Sequence, residues 1–373
     1  MRSNLDKYTF IFIFWLLLFL PILLSMTGYY PRKSTENRNL SKFPSWQWSI
    51  KEYASEYENY FDDHFSLRNV YIYLYALIET KIFNVSPTPV VLVGKDNWLF
   101  YWSENDPSRI AWEGNTFDDF RGLYPYSRKE LIQICNALEF HEQKLEKMGA
   151  YFIFLVGPNQ STIYPEKVPV YFYKRKNKST RLEQIMDYLN SNNSKINLIN
   201  PTQALKDGKK KYQTFYSTDA HWNQFGSFLA YQQIIYNVKR RFPDITPIKL
   251  EDAKVIESER RGLSTAKLIG LEDIYHDRNV NLKIDYNKMK DYPKLRKAVV
   301  FGDSYYTYAS LDDYLRIHFK EIKYLHCRWN DLDYRVIEKE KPDVVLYVAV
   351  ERLAMRVFEK MANNYLKEKR RGS

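Results

Sequence analysis

The sequence predicts an α/β protein with a mainly parallel β-sheet, preceded by one N-terminal transmembrane helix. Segments such as "YFIFLVG" and "DVVLYVAV" are apolar throughout, and segments with helical periodicity separate them. A strand that is buried on both faces has this continuous apolar character, so we expect helices on both sides of the sheet, in three layers. The third observation is a long uncharged run close to the N-terminus.

That run, "YTFIFIFWLLLFLPILLSMTGYY", extends from Tyr8 to Tyr30. About 20 apolar residues are enough to cross a bilayer. A cleaved signal peptide is the alternative, but its apolar region is normally shorter, and Ser25-Met26-Thr27 is a poor cleavage site. We therefore expect an uncleaved membrane anchor over residues 1–30, with the rest of the chain outside the cytoplasm.

Two further regions follow the anchor. Residues 31–85 are expected to form a polar linker and an amphipathic helical region, since apolar residues recur at helical spacing between Tyr53 and Phe83. We expect this region to pack onto the α/β domain rather than onto a membrane. The α/β domain covers residues 86–373 and opens with a predicted hairpin between Val90 and Tyr101.

Helices and strands alternate within this domain. Ser127 is predicted to cap a helix that stops at Gly149. The other predicted elements are, in chain order, the strand "YFIFLVG", a helix near Thr180 to Leu189, the strand "INLIN", a helix from Asn223 to Arg241, a strand from Ala298 to Phe301, a helix near Leu311 to Phe319, the strand "IKYLHC", a short helix, the strand "DVVLYVAV" and the helix "RLAMRVFEKMANNYL". A long polar stretch before Ala298 carries no predicted element.

Composition narrows the class of protein. Of the 373 residues, 45% are hydrophobic and 17% aromatic, which excludes a disordered chain. The net charge of +11 is scattered in short runs such as Lys209-Lys210-Lys211, Lys174-Arg175-Lys176 and Lys367 to Arg371, without a nucleic-acid-binding motif. We therefore expect solvated basic faces and no nucleic acid partner, with an anionic polymer or membrane as the next interpretation.

Cysteine and histidine spacing gives no sign of a metal site or cofactor. The two cysteines, Cys135 and Cys327, could form an extracytoplasmic disulfide, but two separate buried thiols are expected. The histidines outside the motif discussed below lack ligand spacing and are His64, His141, His276, His318 and His326.

The segment "VVFGDSYY" carries the first sign of chemistry. An apolar strand ends at Gly302-Asp303-Ser304, and open α/β sheets place their sites at the carboxyl ends of strands. Ser304 would begin a helix, where backbone N–H groups and the helix dipole favour a developing oxyanion. Asp303 is expected to brace the turn. The alternative is that Ser304 simply caps a helix.

The segment "STDAHWNQFG" supplies a base for such a serine. In an extended segment, Asp219 and His221 face the same side, so Asp219 can hold one imidazole nitrogen while the other faces Ser304. The alternative is structural: Asp219 caps the following helix and His221 is a buried polar residue. Together, the two motifs predict a serine nucleophile with a histidine base.

Several segments resemble the alginate O-acetyltransferase AlgJ/AlgX family, whose members have an SGNH-hydrolase-like domain. Site segments "VFGDSYY" and "STDAHWNQFGSFLAY" carry the resemblance. It extends in the same order through "ENRNLSKFPSW", "YFDDHFSLRN", "VLVGKDNWLFY", "PNQSTIYPEKVP" and "PDVVLYVAVER", from Glu36 to Arg352. The resemblance implies an SGNH-hydrolase-like three-layer fold in a membrane-anchored AlgJ-like protein. It also implies that Ser304 is the nucleophile, His221 the base and Asp219 its partner.

Five more residues are candidates for oxyanion or substrate contacts: Asn159, Gln160, Tyr305, Trp222 and Arg352. The family often has a basic residue where this chain reads "NQSTIYP", so we expect the Asn159 or Gln160 amide to donate to the oxyanion. For Trp222 a packing role is favoured over a sugar platform. Glu351 and Arg352 are expected to form an internal ion pair at the floor of the site.

The function expected from these residues is a two-step acetyl transfer through Ser304 to a hydroxyl of an exported polysaccharide or cell-wall polymer. The enzyme would be a single-pass cell-membrane protein with its catalytic domain in the periplasm or at the cell surface. Since acetyl thioesters are cytosolic, the resemblance implies a multi-spanning, membrane-bound O-acyltransferase partner as donor. Two alternatives stay open: a carbohydrate esterase with the same triad, and a catalytically silent glycan-binding subunit.

Overall fold

The computed structural model describes residues 2–30, 39–46, 49–105, 116–173, 179–326 and 330–371. Part of the predicted linker, the basic run at 174–176 and Cys327 lie outside these residues. The chain forms two compact units, Met1–Thr88 with Ala266–Glu272, and Pro89–Thr265 with Asp273–Ser373. The predicted division into residues 1–30, 31–85 and 86–373 stays a prediction.

The first unit is helical. Its three long helices are α1 (Arg2–Met26), α2 (Ile50–His64) and α3 (Arg68–Lys81). Lys7–Met26 is long and apolar enough to cross a membrane, with a mean hydropathy of 2.5. The predicted helical region between Tyr53 and Phe83 is confirmed, and it consists of two helices. Within the described residues, α2 has no buried residue and α3 has only Ala76 and Thr80. The expectation that this region packs onto the α/β domain stays a prediction.

The second unit is built on a five-stranded sheet in which every neighbouring pair of strands is parallel, with the order β4-β3-β9-β7-β8. Two antiparallel hairpins, β1–β2 and β5–β6, complete its strands. The strands are β1 (Val91–Val93), β2 (Leu99–Tyr101), β3 (Tyr151–Gly157), β4 (Leu198–Ile199), β5 (Ala253–Arg261), β6 (His276–Ile284), β7 (Leu295–Gly302), β8 (Phe319–His326) and β9 (Val344–Val350). The mainly parallel sheet and the predicted hairpin between Val90 and Tyr101 are confirmed.

Helices occupy the segments between these strands and follow the last of them. They are α4 (Thr116–Phe120), α5 (Arg128–Lys147), α6 (Gln160–Ile163), α7 (Val170–Tyr173), α8 (Arg181–Ser191), α9 (Thr202–Gly208), α10 (Gln224–Arg241), α11 (Ser264–Leu268), α12 (Ser304–Thr307), α13 (Leu311–Leu315), α14 (Tyr334–Glu340) and α15 (Glu351–Arg371). Ser127 caps α5 through a capping box, as predicted. The helix predicted near Leu311 to Phe319 is shorter, since it ends at Leu315 and β8 starts at Phe319.

Alternate residues of the central strands enter two different hydrophobic clusters. In β3, Ile153 and Leu155 belong to the cluster that contains the inner face of α10, whereas Phe152 and Phe154 belong to the cluster that contains α5 and α15. Successive side chains of a strand point to opposite faces. The sheet is therefore covered on both sides, in the three-layer arrangement that the apolar runs predicted.

The cysteine expectation is confirmed where the structure describes it. Cys135 is a free, buried thiol in α5, and burial raises its pKa to about 12. A thiol with so high a pKa is a weak nucleophile. Among the described residues, no group of three or more His, Cys, Asp or Glu side chains is arranged to hold a metal ion.

Candidate active site

Three parallel strands end at the same edge of the sheet, and each leads into a polar residue. β7 leads through Asp303 to Ser304, β9 leads to Glu351, and β3 leads through Pro158 to Asn159. Polar side chains that follow adjacent parallel strands are brought together at this edge, which is where open α/β sheets bind ligands. The candidate site lies there.

Asp303 fixes the turn that presents Ser304. One of its carboxylate oxygens accepts the backbone N–H of Tyr305 at 2.8 Å, and the other accepts the N–H of Val350 at 2.7 Å. Asp303 is therefore the N-cap of α12, and Ser304 is the first residue of the helix rather than its cap. Complete burial raises the pKa of Asp303 despite these two donors. Because α12 has only four residues, its dipole adds little to the site.

A chain of hydrogen bonds joins Ser304, His221 and Asp219. The Nε2 atom of His221 lies 2.8 Å from Ser304 Oγ, and its Nδ1 atom lies 2.6 Å from Asp219 Oδ1. The backbone N–H of His221 also donates to Asp219 Oδ1, at 2.9 Å. The Asp219 side chain is 3% exposed and that of His221 is 18% exposed, so the base can be reached from solvent while its partner cannot.

The loop before α10 leaves Asp219 available for this contact. Asn223, rather than Asp219, caps α10, and its side-chain oxygen accepts the N–H of Gly226 at 3.0 Å. Gly226 has no room for a side chain, since a Cβ atom there would lie 2.1 Å from the carbonyl oxygen of Thr214. The helix-capping alternative for Asp219 is therefore contradicted.

Ser264 occupies the second oxygen of Asp219. Its hydroxyl donates to Asp219 Oδ2 at 2.5 Å, and its backbone N–H approaches the same oxygen at 3.4 Å. Burial alone would raise the pKa of Asp219, but the hydrogen bonds from His221 and Ser264 and the charge of His221 hold that pKa below its ordinary value. The carboxylate is thus kept ionised opposite the imidazole.

Asp277, on β6, anchors the loop that carries Asp219. This buried carboxylate accepts the backbone N–H and the hydroxyl of both Ser217 and Thr218. Burial raises its pKa despite the four donors. Sequence reasoning missed both Ser264 and Asp277, because they follow the loop by about 45 and 60 residues within the polar stretch.

Replacing Asp277 with alanine is expected to destabilise the protein by about 3 kcal/mol, because a buried donor left without an acceptor costs roughly 1–3 kcal/mol. Chemical denaturation followed by circular dichroism measures this change. Asp285→Ala is the matched control, since Asp285 is exposed just beyond the same strand. Equal stability of the two variants would contradict the anchoring role.

Trp222 and Tyr305 are packing residues. Both are 0% exposed, and their rings lie 4.6 Å apart. The sugar-platform interpretation of Trp222 is wrong, because a fully buried ring presents no face to a ligand. The Tyr305 hydroxyl donates to the carbonyl oxygen of Ala220 at 2.7 Å and lies 3.3 Å from that of Pro158. Gly157 accommodates this ring, since a Cβ atom there would lie 2.5 Å from it.

Asn159 and Gln160 differ in what their amides contact. The Gln160 Nε2 atom donates to the carbonyl oxygen of Tyr216 at 2.7 Å, so this amide holds the loop before His221. The Asn159 side-chain amide makes no hydrogen bond with the described residues. Its backbone N–H donates to Glu351 at 2.9 Å, which fixes the position of the residue.

The expected ion pair between Glu351 and Arg352 is wrong. The buried Glu351 carboxylate accepts the Asn159 N–H and the Thr162 hydroxyl, each at 2.9 Å, rather than contacting Arg352. Burial, together with the charge of Asp119, raises the pKa of Glu351 to about 7. The guanidinium of Arg352 lies 5.4 Å from the centre of the Tyr101 ring.

Tyr308 is an aromatic neighbour of the base that the sequence did not single out. Its ring stacks on the His221 imidazole with 4.4 Å between centroids and 24° between planes. Tyr308 is half-buried and lies four residues after Ser304, beyond the end of α12. It therefore restricts the orientation of the imidazole from the side of the nucleophile.

The amino-acid sequence of this domain matches a known protein family. Residues 91–285 match the family described as an SGNH hydrolase-like domain, acetyltransferase AlgX. The chain belongs to the AlgJ/AlgX family. The SGNH-hydrolase-like α/β fold that the resemblance implied is confirmed.

Curated relatives are about a quarter identical to this AlgJ/AlgX-family chain over the segments that align. A probable alginate O-acetylase AlgJ from Pseudomonas syringae pv. tomato is 26% identical over 189 residues, which cover 50% of this chain and 42% of the relative. A protein of the same name from Pseudomonas fluorescens is 25% identical over 208 residues, which cover 54% and 46%. The chain thus spans less than half the length of these relatives.

Solved structures that the chain matches include the O-acetyltransferase domain of Pseudomonas putida AlgJ, at 16% identity and a TM-score of 0.42, covering 74% of this chain and 99% of that one. Another is PatB1 from Bacillus cereus, at 16% identity and a TM-score of 0.45, covering 70% and 95%. A third is AlgX from Pseudomonas aeruginosa, at 11% identity and a TM-score of 0.46, covering 70% and 61%.

Proposed function

We propose that this protein is an O-acetyltransferase that moves an acetyl group, through an ester of Ser304, to a hydroxyl of an exported polysaccharide or cell-wall polymer. The observation that carries the proposal is the continuous hydrogen-bonded chain from Asp219 through His221 to Ser304. Membership of the family described as acetyltransferase AlgX supports it, as do the curated relatives named probable alginate O-acetylases. The catalytic role of each residue is part of this proposal.

In the first step, Ser304 Oγ attacks the carbonyl carbon of an acetyl donor while His221 Nε2 takes the hydroxyl proton. A serine hydroxyl is a poor nucleophile unless a base removes its proton. Asp219 accepts the Nδ1–H of His221, which leaves Nε2 unprotonated and stabilises the imidazolium that forms. When the tetrahedral intermediate collapses, the donor's leaving group departs with the proton from His221, and Ser304 carries the acetyl ester.

In the second step, His221 Nε2 takes the proton of a sugar hydroxyl as its oxygen attacks the ester carbonyl. Collapse of the second intermediate releases the acetylated sugar and returns the proton to Ser304 Oγ. Both Ser304 and His221 are partly exposed, so an acceptor can reach them. Water can make the same attack, which would give esterase activity.

Two donors are proposed for the oxyanion of each intermediate. The backbone N–H of Ser304 makes no hydrogen bond with the described residues, as expected at the first position of a helix. The Asn159 amide is also free to donate, whereas the Gln160 amide is bonded to Tyr216. Preorganised donors of this kind stabilise charge that develops in the transition state.

The acetyl donor is proposed to be a membrane-bound O-acyltransferase that spans the bilayer several times. Activated acetyl thioesters belong to the cytosol, whereas the Ser304 domain is proposed to lie outside it. An uncleaved α1 would hold the enzyme beside such a donor, as a single-pass protein with its catalytic domain in the periplasm or at the cell surface. The scattered net charge of +11 is compatible with an anionic polymer as acceptor.

A soluble chromogenic acetyl ester tests the function without the partner. The purified protein is incubated with this donor, with and without oligosaccharides, and acetylated sugar is measured against free acetate. We expect acetyl on the oligosaccharide. Free acetate with every glycan tested would favour an esterase, and no turnover at all would favour a glycan-binding subunit.

Ser264→Ala is expected to lower kcat for acetyl transfer by about tenfold, since a hydrogen bond to a charged group contributes about 1.5–3 kcal/mol. Ser264→Thr restores a hydroxyl and should recover most of the rate. Ser258→Ala, at an exposed position on β5, is the control for general damage to the hairpin. An unchanged kcat in the alanine variant would show that Ser264 does not position Asp219.

A further inference from the structure

One face of α3 is apolar, exposed and free of charge. Five residues form this face, which we call the α3 stripe: Tyr71, Leu74, Tyr75, Ile78 and the C-cap residue Ile82. Their exposed fractions are 40%, 45%, 54%, 43% and 71%. Their spacing of three and four residues places them within one third of the helix circumference.

The opposite side of α3 is the one that contacts protein. Ala76 and Thr80 are buried, and the Thr80 hydroxyl donates to the carbonyl oxygen of Ala76 at 2.7 Å within the helix. The charged residues Arg68, Glu79 and Lys81 lie outside the stripe. The α3 stripe therefore faces outward from its unit. Large contiguous apolar patches are uncommon on the surface of soluble proteins.

A contact with α1 fixes the position of α3 along the apolar helix. The backbone N–H of Ser66, two residues before α3, donates to Ser25 Oγ at 2.9 Å, and the Ser66 hydroxyl donates to the carbonyl oxygen of Pro21 at 3.4 Å. Ser66 is 1% exposed. All these residues belong to the helical unit.

This contact lies within the apolar segment and not beyond it. Pro21 precedes Met26, the last residue of α1, by five positions, which is about 7.5 Å at 1.5 Å per residue. The α1 residues with reduced exposure are Leu20, Pro21, Leu24 and Ser25, on the face that meets Ser66. The start of α3 is thus level with the last turns of the candidate membrane span.

We propose that α3 lies at the surface of the bilayer that α1 crosses, with the α3 stripe inserted among the lipids. Interfacial helices bury an apolar face about 5–10 Å into the boundary between headgroups and acyl chains. Tyr71 and Tyr75 suit this depth, because tyrosine combines an apolar ring with a hydroxyl that reaches the headgroups. The inference rests on the part of the proposed function in which α1 is retained as an anchor.

Spin labels in the full-length protein, reconstituted into phosphatidylcholine–phosphatidylglycerol vesicles, test this position. The background carries Cys327→Ser and keeps the buried Cys135, and a sample without added cysteine measures stray labelling. Labels are placed at Ile78→Cys, at Leu17→Cys in α1 as the lipid reference, and at Glu58→Cys in α2 as the water reference. Collisions with oxygen report lipid, and collisions with a water-soluble nickel chelate report solvent.

We expect the label at Ile78 to resemble that at Leu17, with strong oxygen relaxation and loss of the nickel relaxation found at Glu58. A label at Ile78 that behaves like the one at Glu58 would overturn the proposal, as would one shielded from both reagents or a protein that does not stay in the vesicles. Acetyl transfer from a soluble donor is measured on the same samples. The two measurements are independent. Loss of acetyl transfer would not change the accessibility of the label at Ile78, and a label exposed to solvent would not change the rate of acetyl transfer.

Discussion

Replacing Ser304 with alanine is expected to lower acetyl transfer by at least about 10⁴-fold, because removing the nucleophile of a catalytic triad leaves only binding and oxyanion stabilisation. The rate is measured with the chromogenic acetyl ester and an oligosaccharide. Stability should change little, since Asp303 rather than Ser304 caps α12 and makes the two hydrogen bonds that fix the turn.

Thr307→Ala is the matched control for this variant, because Thr307 is an exposed residue of the same short helix. It should retain the activity of the unmodified protein. Comparable activity in Ser304→Ala and Thr307→Ala would exclude Ser304 as the nucleophile, whatever the geometry around it.

Asp219→Asn is expected to lower kcat by about 10⁴-fold while preserving the fold. An asparagine side chain is neutral, so it cannot stabilise the imidazolium that forms when His221 takes the serine proton. Its amide nitrogen also donates where the carboxylate accepts, so whenever that nitrogen faces His221 Nδ1 the imidazole keeps its proton on Nε2, facing Ser304, and cannot act as the base.

The control for this variant is Asp313→Asn, at an exposed position in α13. Thermal unfolding of both variants separates loss of catalysis from loss of fold. The pKa of Asp219 in the folded protein is below its ordinary value, so the ionised carboxylate stabilises the fold at pH values above the ordinary aspartate pKa. This contribution to the free energy of unfolding is lost as the pH falls through the lowered pKa. The stability difference between Asp219→Asn and the unmodified protein should therefore narrow in acid.

The central sheet could be predicted because its strands are buried on both faces. β3, β7 and β9 contain continuous apolar runs, a pattern that few other elements share. β5 and β6 could not be predicted in the same way. Most β5 side chains are exposed, so its sequence carries neither an apolar run nor a clean alternation.

The contact between Ser304 and His221 could be anticipated from strand ends and from the family resemblance, whereas its supports could not. Ser264 and Asp277 are ordinary polar residues in a polar stretch, and only the folded chain brings them to the loop at Asp219. The role of Trp222 could not be predicted for another reason. An aromatic ring beside a site can pack in the core or bind a sugar, and the sequence does not show whether the ring is buried.

The helical pattern between Tyr53 and Phe83 predicted an apolar face, which we expected to pack onto the α/β domain, but the pattern itself does not identify what covers that face. Periodicity identifies which residues share a face, and the same face suits a protein core, a partner or a lipid surface. The hydrogen bonds from Ser66 to α1 support the proposed lipid contact, because they fix the level of α3 along the apolar helix.

The central claim is that Ser304 carries the acetyl group between donor and sugar. Acid quenching shortly after mixing with the acetyl ester, followed by peptide mass spectrometry, measures this directly. We predict acetyl on the peptide that contains Ser304, and its transfer to an oligosaccharide added before the quench. Acetylated sugar formed while Ser304 stays unmodified at every time point, or acetyl found on another residue that passes it to the sugar, would contradict the account.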